Sequence, residues 1–141
     1  EKALNTNLRG PVFLVQSALQ YLEKSDGASI INILSNAAYM YAAHHLLYPV
    51  AKAGLEAATR SMAAQLSTTG IRVNALVPGT VDTDMVRAMP EEFQKASAKA
   101  SLLGRAASPD EISMMALLLA SEGGSFMTGH TYFVDGGQSY R

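Results

Sequence analysis

Tyr48 and Lys52 stand four residues apart, the spacing at which two side chains meet on one helix face. A phenol has an ordinary pKa of about 10, and a neighbouring ammonium lowers it. A tyrosine tuned in this way can give a proton to a carbonyl oxygen, or take one from an alcohol, near neutral pH. Ser35 lies thirteen residues before Tyr48. Its hydroxyl can donate a hydrogen bond to the same oxygen and stabilise charge developing there. Taken alone, Tyr-x-x-x-Lys is common by chance, and a plain amphipathic helix with a surface lysine is the readier account of it. Pro49 complicates the helix. A proline costs little in a first turn, yet it pushes the preceding residue, here Tyr48, away from helical geometry. The sequence predicts Pro49 inside the first turn, with the Tyr48 hydroxyl aimed at the site. His44 and His45 invite a metal reading, but no third ligand has a metal-binding spacing, so no metal is expected. Contact with substrate at the rim beside Tyr48, or a solvated loop, are the readings left for them.

These side chains need a frame. Leu4, Leu8, Val12, Val15, Leu19 and Leu22 recur at helical spacing over residues 2–24, interrupted by Gly10-Pro11. SIINIL, residues 29–34, is a β-branched run of the kind buried on both faces of a sheet. Residues 35–46 read as a loop. A second helix follows over about 47–68, with Ala51, Leu55, Ala58, Met62 and Leu66 as its apolar stripe. IRVNALV (71–77) is a second buried strand, stopped by Pro78-Gly79. Residues 84–103 show no strong period. SPDEISMMALLLAS (108–121) is a third helix, with Ser108 and Glu111 spaced as a capping box, Pro109 in the first turn and Asp110 near the positive end. HTYFVDGG (130–137) supplies a third strand and its turn. Strands alternating with helices mean a parallel sheet covered by helices, joined by right-handed crossovers. Three strands are few for this architecture and leave an edge without cover, so the sheet is expected to be part of a larger one. In such sheets ligands bind beyond the carboxyl ends of the strands, where Ser35, Tyr48 and Pro78-Gly79 fall.

The composition bounds the rest. The 141 residues suffice for one domain, and 48% are hydrophobic and 16% charged, a core-forming balance. The net charge is −1 with no basic run, which argues against nucleic acid or an acidic membrane surface as partner. No cysteine is present, which excludes disulfides, thiolate metal sites and a cysteine nucleophile. The longest apolar stretch, MMALLLA at 114–120, falls short of the roughly 20 residues a spanning helix needs. A cytoplasmic location is the expectation. The chain opens EKALNTNL, without methionine and already inside an apparent helix, so the start is expected to be a partial one.

The ordered set NTNL (5–8), INILS (31–35), Tyr48-x-x-x-Lys52, AGLEAATRSMAAQL (53–66), GIRVNALVPGTVDTDM (70–85), GRAASPDEI (104–112), TGH (128–130) and FVDGG (133–137) resembles the short-chain dehydrogenase/reductase family, in its compact single-domain branch. Asn7 precedes Ser35 by 28 residues, and this separation matches the family too. The resemblance runs nearly end to end. It implies a Rossmann-like doubly wound parallel sheet, of which this chain is the C-terminal portion, with about three strands and three main helices. It also implies a catalytic set of Asn7, Ser35, Tyr48 and Lys52. Tyr48 would be the acid/base, and Lys52 would tune it and bind the nicotinamide ribose. Ser35 would polarise the substrate oxygen, and the Asn7 backbone carbonyl would hold a relay water. The last role has a local warrant, because Pro11 lacks the N–H that a helix would direct at the Asn7 carbonyl. The freed carbonyl should come with a kink, although bending round the core explains the proline as well. The cofactor would be NAD or NADP, held by Tyr48, Lys52, Pro78, Gly79, the Val81 backbone and Thr83. Ser35, His45 and Met85 would meet a small alcohol or carbonyl substrate. Residues 84–103 would form a lid, with Met85, Met89, Leu102 and Leu103 as adaptable apolar contacts. DGG at 135–137 reads as a turn and subunit contact. The whole protein would be a homodimer or homotetramer, with the apolar segment VFLV (12–15) available for a helical interface.

The family's glycine-rich dinucleotide turn is absent from these residues. It belongs to an N-terminal half expected before residue 1. Three functions stay open: an NAD(P)-dependent oxidoreductase, an epimerase or dehydratase using the same Tyr–Lys pair, or a non-catalytic truncated remnant. The upstream sequence would separate them, and the PGTVDT loop favours the first.

Overall fold

The computed structural model describes residues 1–41 and 45–140. The first helix, α1, runs as three contiguous parts: Lys2–Leu4, a π-helical Asn5–Arg9, and Gly10–Leu22. The sequence predicts a kink at Gly10-Pro11. The structure widens the helical register just ahead of the proline, where the Gly10 N–H bonds the Asn5 carbonyl five residues back. Pro11 offers the Asn7 carbonyl no N–H, and a π turn is one way for a helix to accommodate such a gap. The side-chain pattern agrees. Leu4, Leu8 and Val12 are spaced by four, wider than the 3.6 residues of an α-turn. Together with Val15, Leu19 and Leu22 they form one half-buried stripe.

Three parallel strands follow: β1 (Ser29–Ile33), β2 (Arg72–Pro78) and β3 (Thr131–Val134), in the order β1-β2-β3. Ile31 pairs with Asn74, and Leu76 with Tyr132. A 3-10 turn, Asn36–Tyr39, and helix α2, Leu47–Gln65, connect β1 to β2. Pro49 sits in the first turn of α2, as the sequence predicts. Helices α3 (Asp84–Arg87), α4 (Glu91–Lys99) and α5 (Pro109–Ala120) connect β2 to β3. The capping box of α5 is complete: the Glu111 N–H donates to Ser108 Oγ at 3.4 Å, and the Ser108 N–H to Glu111 Oε2 at 2.8 Å.

β2 is buried on both faces, which is why it reads as a continuous apolar run. Val73 packs with Val15, Leu19 and Met62, while Ala75 and Val77 pack with Leu8 and Leu55. Both clusters lie on the side covered by α1 and α2. The opposite face receives α5 through the fully buried Leu119. Small residues let the two helices of the first layer approach closely: a Cβ at Gly54 would meet Leu8 Cδ2 at 3.0 Å. The buried asparagines and Thr59 are paired. Asn32 Nδ2 donates to Thr59 Oγ1 at 2.9 Å, and Thr59 Oγ1 donates to the Leu55 carbonyl at 2.8 Å. Asn74 Nδ2 donates to the Met127 carbonyl at 2.7 Å. Both asparagines therefore hold the scaffold together. Among the described residues β1 pairs only with β2, which leaves its far edge open. No helix of the described residues is long and apolar enough to cross a membrane.

Candidate active site

The carboxyl ends of the strands gather most of the predicted side chains. Lys52, one turn into α2, reaches back to the end of β1, where its Nζ donates to the Ile33 carbonyl at 2.7 Å. The same ammonium lies 5.7 Å from the centre of the Tyr48 ring. Tyr48 and Lys52 thus share a helix face despite the intervening proline. Burial disfavours the charged form of Lys52 and lowers its pKa from the ordinary lysine value.

Two other tyrosines lie in the segment after β1, and the structure separates Tyr39 from Tyr48. Tyr39 packs edge-on against Phe133, with ring centres 4.8 Å apart. Burial, then the neighbouring Glu56 carboxylate, push its phenol far above the ordinary range. A phenol so disfavoured as an anion is a poor acid/base. Tyr48 is 36% exposed beside a cation, and it is the better placed of the two.

Ser35 follows β1 directly and caps the 3-10 turn by accepting the Ala37 N–H at 3.2 Å. That bond uses an oxygen lone pair and leaves the hydroxyl proton available to another acceptor. Asn7 and Lys52 line one groove, of about 510 Å³, between α1 and the open edge of β1. The Asn7 amide turns back onto its own helix, Nδ2 to the Ala3 carbonyl at 3.1 Å. Its amide nitrogen is thereby engaged, and the backbone carbonyl in the π segment is the group considered for a water.

The loop after β2 is fixed from two sides. The Gly79 N–H donates to the Val134 carbonyl at 3.1 Å. Val81 forms an isolated parallel bridge with Ala107, whose bonds run from Ala107 N–H to Thr80 carbonyl (2.9 Å) and from Asp82 N–H to Ala107 carbonyl (2.8 Å). A parallel bridge uses the groups flanking its central residue, so the N–H and C=O of Val81 point to the other side. Gly79 has its own structural reason: a Cβ there would meet the Asp135 backbone at 2.7 Å. Thr83 precedes α3 without a side-chain capping bond. Met85 is 75% exposed, and His45 is exposed ahead of α2. His44 lies outside the described residues. The sequence reading missed Gln138 and Asn36, whose side chains bond each other at 2.7 Å at this same end of the sheet. A glutamine after a turn carries no motif signal, and only the fold shows its neighbours.

The parallel sheet and its helical layers are Rossmann-like. The match to a crystal structure of a short chain dehydrogenase family protein from Francisella tularensis has a TM-score of 0.88 at 30% identity, covering 98% of this chain and 61% of that one. The angucycline C-6 ketoreductase LanV, solved with bound NADP, gives a TM-score of 0.90 at 27% identity over 98% of this chain and 53% of its own. The model of the family described as enoyl-(acyl carrier protein) reductase matches residues 1–139, and the chain belongs to this branch of the short-chain dehydrogenase/reductase family. It is 40% identical over 134 residues to the 3-oxoacyl-[acyl-carrier-protein] reductase FabG of Pseudomonas aeruginosa, covering 95% of this chain and 54% of that protein. With FabG of Chlamydia pneumoniae the identity is 36% over 140 residues, with 99% and 56% covered. The chain thus spans little more than half the length of these curated relatives.

Proposed function

We propose that the whole protein is an NAD(P)-dependent oxidoreductase that interconverts a secondary alcohol and a carbonyl, with Tyr48 as its acid/base. The observation that carries this reading is Lys52, half-buried at the end of β1 with its ammonium against the Tyr48 ring. In the reductive direction the Tyr48 hydroxyl gives its proton to the carbonyl oxygen as that oxygen gains negative charge. The Ser35 hydroxyl donates a hydrogen bond to the same oxygen. Lys52 stabilises the negative charge left on Tyr48. The Asn7 carbonyl, released by Pro11, holds a water in the groove that Lys52 also lines, and this water returns protons to the site.

The residues at the strand ends fit the nicotinamide end of a dinucleotide. Lys52 and Tyr48 offer donors for ribose hydroxyls, the unused backbone groups of Val81 suit a carboxamide, and Pro78, Gly79 and Thr83 complete that wall. When bound, the cofactor supplies or accepts the hydride. The NADP in LanV supports NADP as the form used. The pyrophosphate and adenosine would bind to an N-terminal half outside these residues. His45 and Met85 stand at the rim for substrate contact. The relatives named as 3-oxoacyl reductases and a ketoreductase support ketone reduction over epimerisation. Exposed Phe13, Leu14 and Tyr21 on α1 suit a homodimer or homotetramer interface.

The test is Tyr48→Phe in the whole protein, assayed with a panel of ketones and both reduced cofactors. Turnover should fall by about 10²–10⁴-fold, while cofactor affinity falls by no more than about tenfold, the scale of the one ribose hydrogen bond the hydroxyl gives up. A variant that keeps a tenth of the wild-type rate on every substrate overturns the assignment.

A further inference from the structure

We propose that Gln138 is a positioning residue whose amide clamps helix α4 and the loop after β2 to the end of the sheet, and so sets the site's affinity for its carbonyl substrate. The kinetic half of this proposal rests on the oxidoreductase reading above.

Gln138 is a polar side chain only 8% exposed, on the turn that follows β3. Its Oε1 accepts from Asn36 Nδ2 at 2.7 Å and from the Thr80 N–H at 2.9 Å. Its Nε2 donates to the Ser97 carbonyl at 2.8 Å and to Thr80 Oγ1 at 3.0 Å. A carboxamide has two acceptor sites and two donors, and all four are used. The partners come from three remote segments, and each adjoins the candidate site. Asn36 follows Ser35. Thr80 lies between Gly79 and Val81. Ser97 is on α4, the longer helix of the expected lid.

The turn itself does not need this amide. The Asp135 carboxylate accepts the Gly137 and Ser139 N–H groups, each at 2.9 Å, and also the Ser139 hydroxyl. Burial alone would raise the Asp135 pKa, but these bonds outweigh it and hold the carboxyl below its ordinary value. The turn is closed on its own account, and the Gln138 side chain is spent on the segments around it.

The clamp continues along the lid. Leu102 N–H and Ser101 Oγ both donate to the Gly136 carbonyl, at 2.8 and 3.0 Å, so the residues just after α4 are tied to the same turn. At the other end Gln94 Nε2 bonds the Met89 and Arg87 carbonyls at 2.8 and 3.1 Å, which joins α3 to α4. Anchoring α4 therefore anchors the whole 84–99 segment. Gln138, Asn36, Phe93 and Ser97 border a cavity of about 260 Å³ between α4 and the turn after β1. The amide fixes the width of that opening.

Two substitutions separate the two sides of the clamp in the whole protein. Gln138→Glu keeps an acceptor for Asn36 and Thr80 but loses the donor to Ser97. Gln138→Met keeps the length and loses both. Amide hydrogen exchange should rise across residues 91–99 in both variants, and across 79–83 only in Gln138→Met. Acidification should restore protection of 91–99 in Gln138→Glu, because the protonated carboxyl again donates to Ser97. In Gln138→Glu the KM for ketone should rise about tenfold, the scale of one buried hydrogen bond lost, with NADPH affinity within twofold. Gln138→Met should weaken NADPH as well. Unchanged exchange over 91–99 in both variants overturns the clamp. So does a lower melting temperature with KM and the exchange pattern unaltered, which is what a merely structural role would give. A wild type that reduces no ketone sinks the oxidoreductase reading and the kinetic half with it, while the exchange pattern still decides the clamp.

Discussion

Gly79→Ala gives a sharp test of how the loop after β2 is built. The backbone at Gly79 does not have a positive φ, so alanine meets no conformational penalty there. Its Cβ would lie 2.6 Å from Gln138 Oε1, 2.7 Å from Asp135 Cα and 2.8 Å from the Asp135 carbonyl oxygen, against the 3.4–4 Å of ordinary contact. The Asp135 backbone cannot easily withdraw, because its carboxylate holds the turn through the Gly137 and Ser139 N–H groups. The Gln138 amide can move, but it then gives up its bonds to Asn36 and Thr80. Overpacking of this kind costs about 1–3 kcal/mol. One lost amide hydrogen bond adds about 0.5–1.5 kcal/mol. The expected loss is therefore about 1.5–4.5 kcal/mol, read as a lower urea midpoint at constant slope in the whole protein. Gly70→Ala is the control. Its φ is +76° with nothing within 4 Å of a new Cβ, so only left-handed strain applies, about 1–2 kcal/mol. A Gly79→Ala variant that loses less stability than Gly70→Ala would refute the packing argument.

Three further outcomes are expected. Asn32→Ala removes the donor that Thr59 Oγ1 accepts from and opens space beside a fully buried hydroxyl, and chemical denaturation should show a loss of about 1–3 kcal/mol. Arg105 lies 2.7 Å from both carboxylate oxygens of Glu111, and with the Ser108 N–H it lowers the Glu111 pKa to about 2. Because the folded-state pKa is depressed, the stabilisation is complete above about 4.5 and fades as pH falls towards 2. The melting-temperature gap between wild type and Glu111→Gln should narrow over that window and stay constant above it. Finally, residues 1–141 produced alone should show no NADPH binding in a fluorescence titration, and micromolar affinity would overturn the expectation that the adenosine and pyrophosphate need residues outside these.

The three strands and the long helices were legible because burial writes a pattern into the chain. β2 is covered on both faces and is therefore apolar at almost every position, and α5 announces its start through Ser108 and Glu111. The π turn left a trace too: Leu4, Leu8 and Val12, each four apart, record a wider turn than an α-helix makes. Helix α4 was not legible. Its ends suit a helix dipole, with Glu91 and Glu92 first and Lys99 last, but no residue of it is buried and its apolar face is thin. Arg72 escaped for another reason. Within β2 it reads as an interruption, yet its guanidinium bonds the Leu119 carbonyl at 2.7 Å at the end of α5. Of the candidate site, Tyr48 and Lys52 could be read from spacing because they share one helix. Asn36, Thr80, Ser97 and Gln138 meet only across loops, and no spacing rule links residues so far apart in the chain.

The position of Gln138 has a consequence for how the protein is made. Every other candidate site residue, from Asn7 to Met85, precedes it in the chain, and so does helix α4. During synthesis the helices and all three strands leave the ribosome first, and the side chain that ties α4 to the loop after β2 follows them. A chain broken between Val134 and Gln138 would retain its strands and its Tyr48–Lys52 pair. Its helix α4 would lack the bond that the Gln138 amide makes to the Ser97 carbonyl.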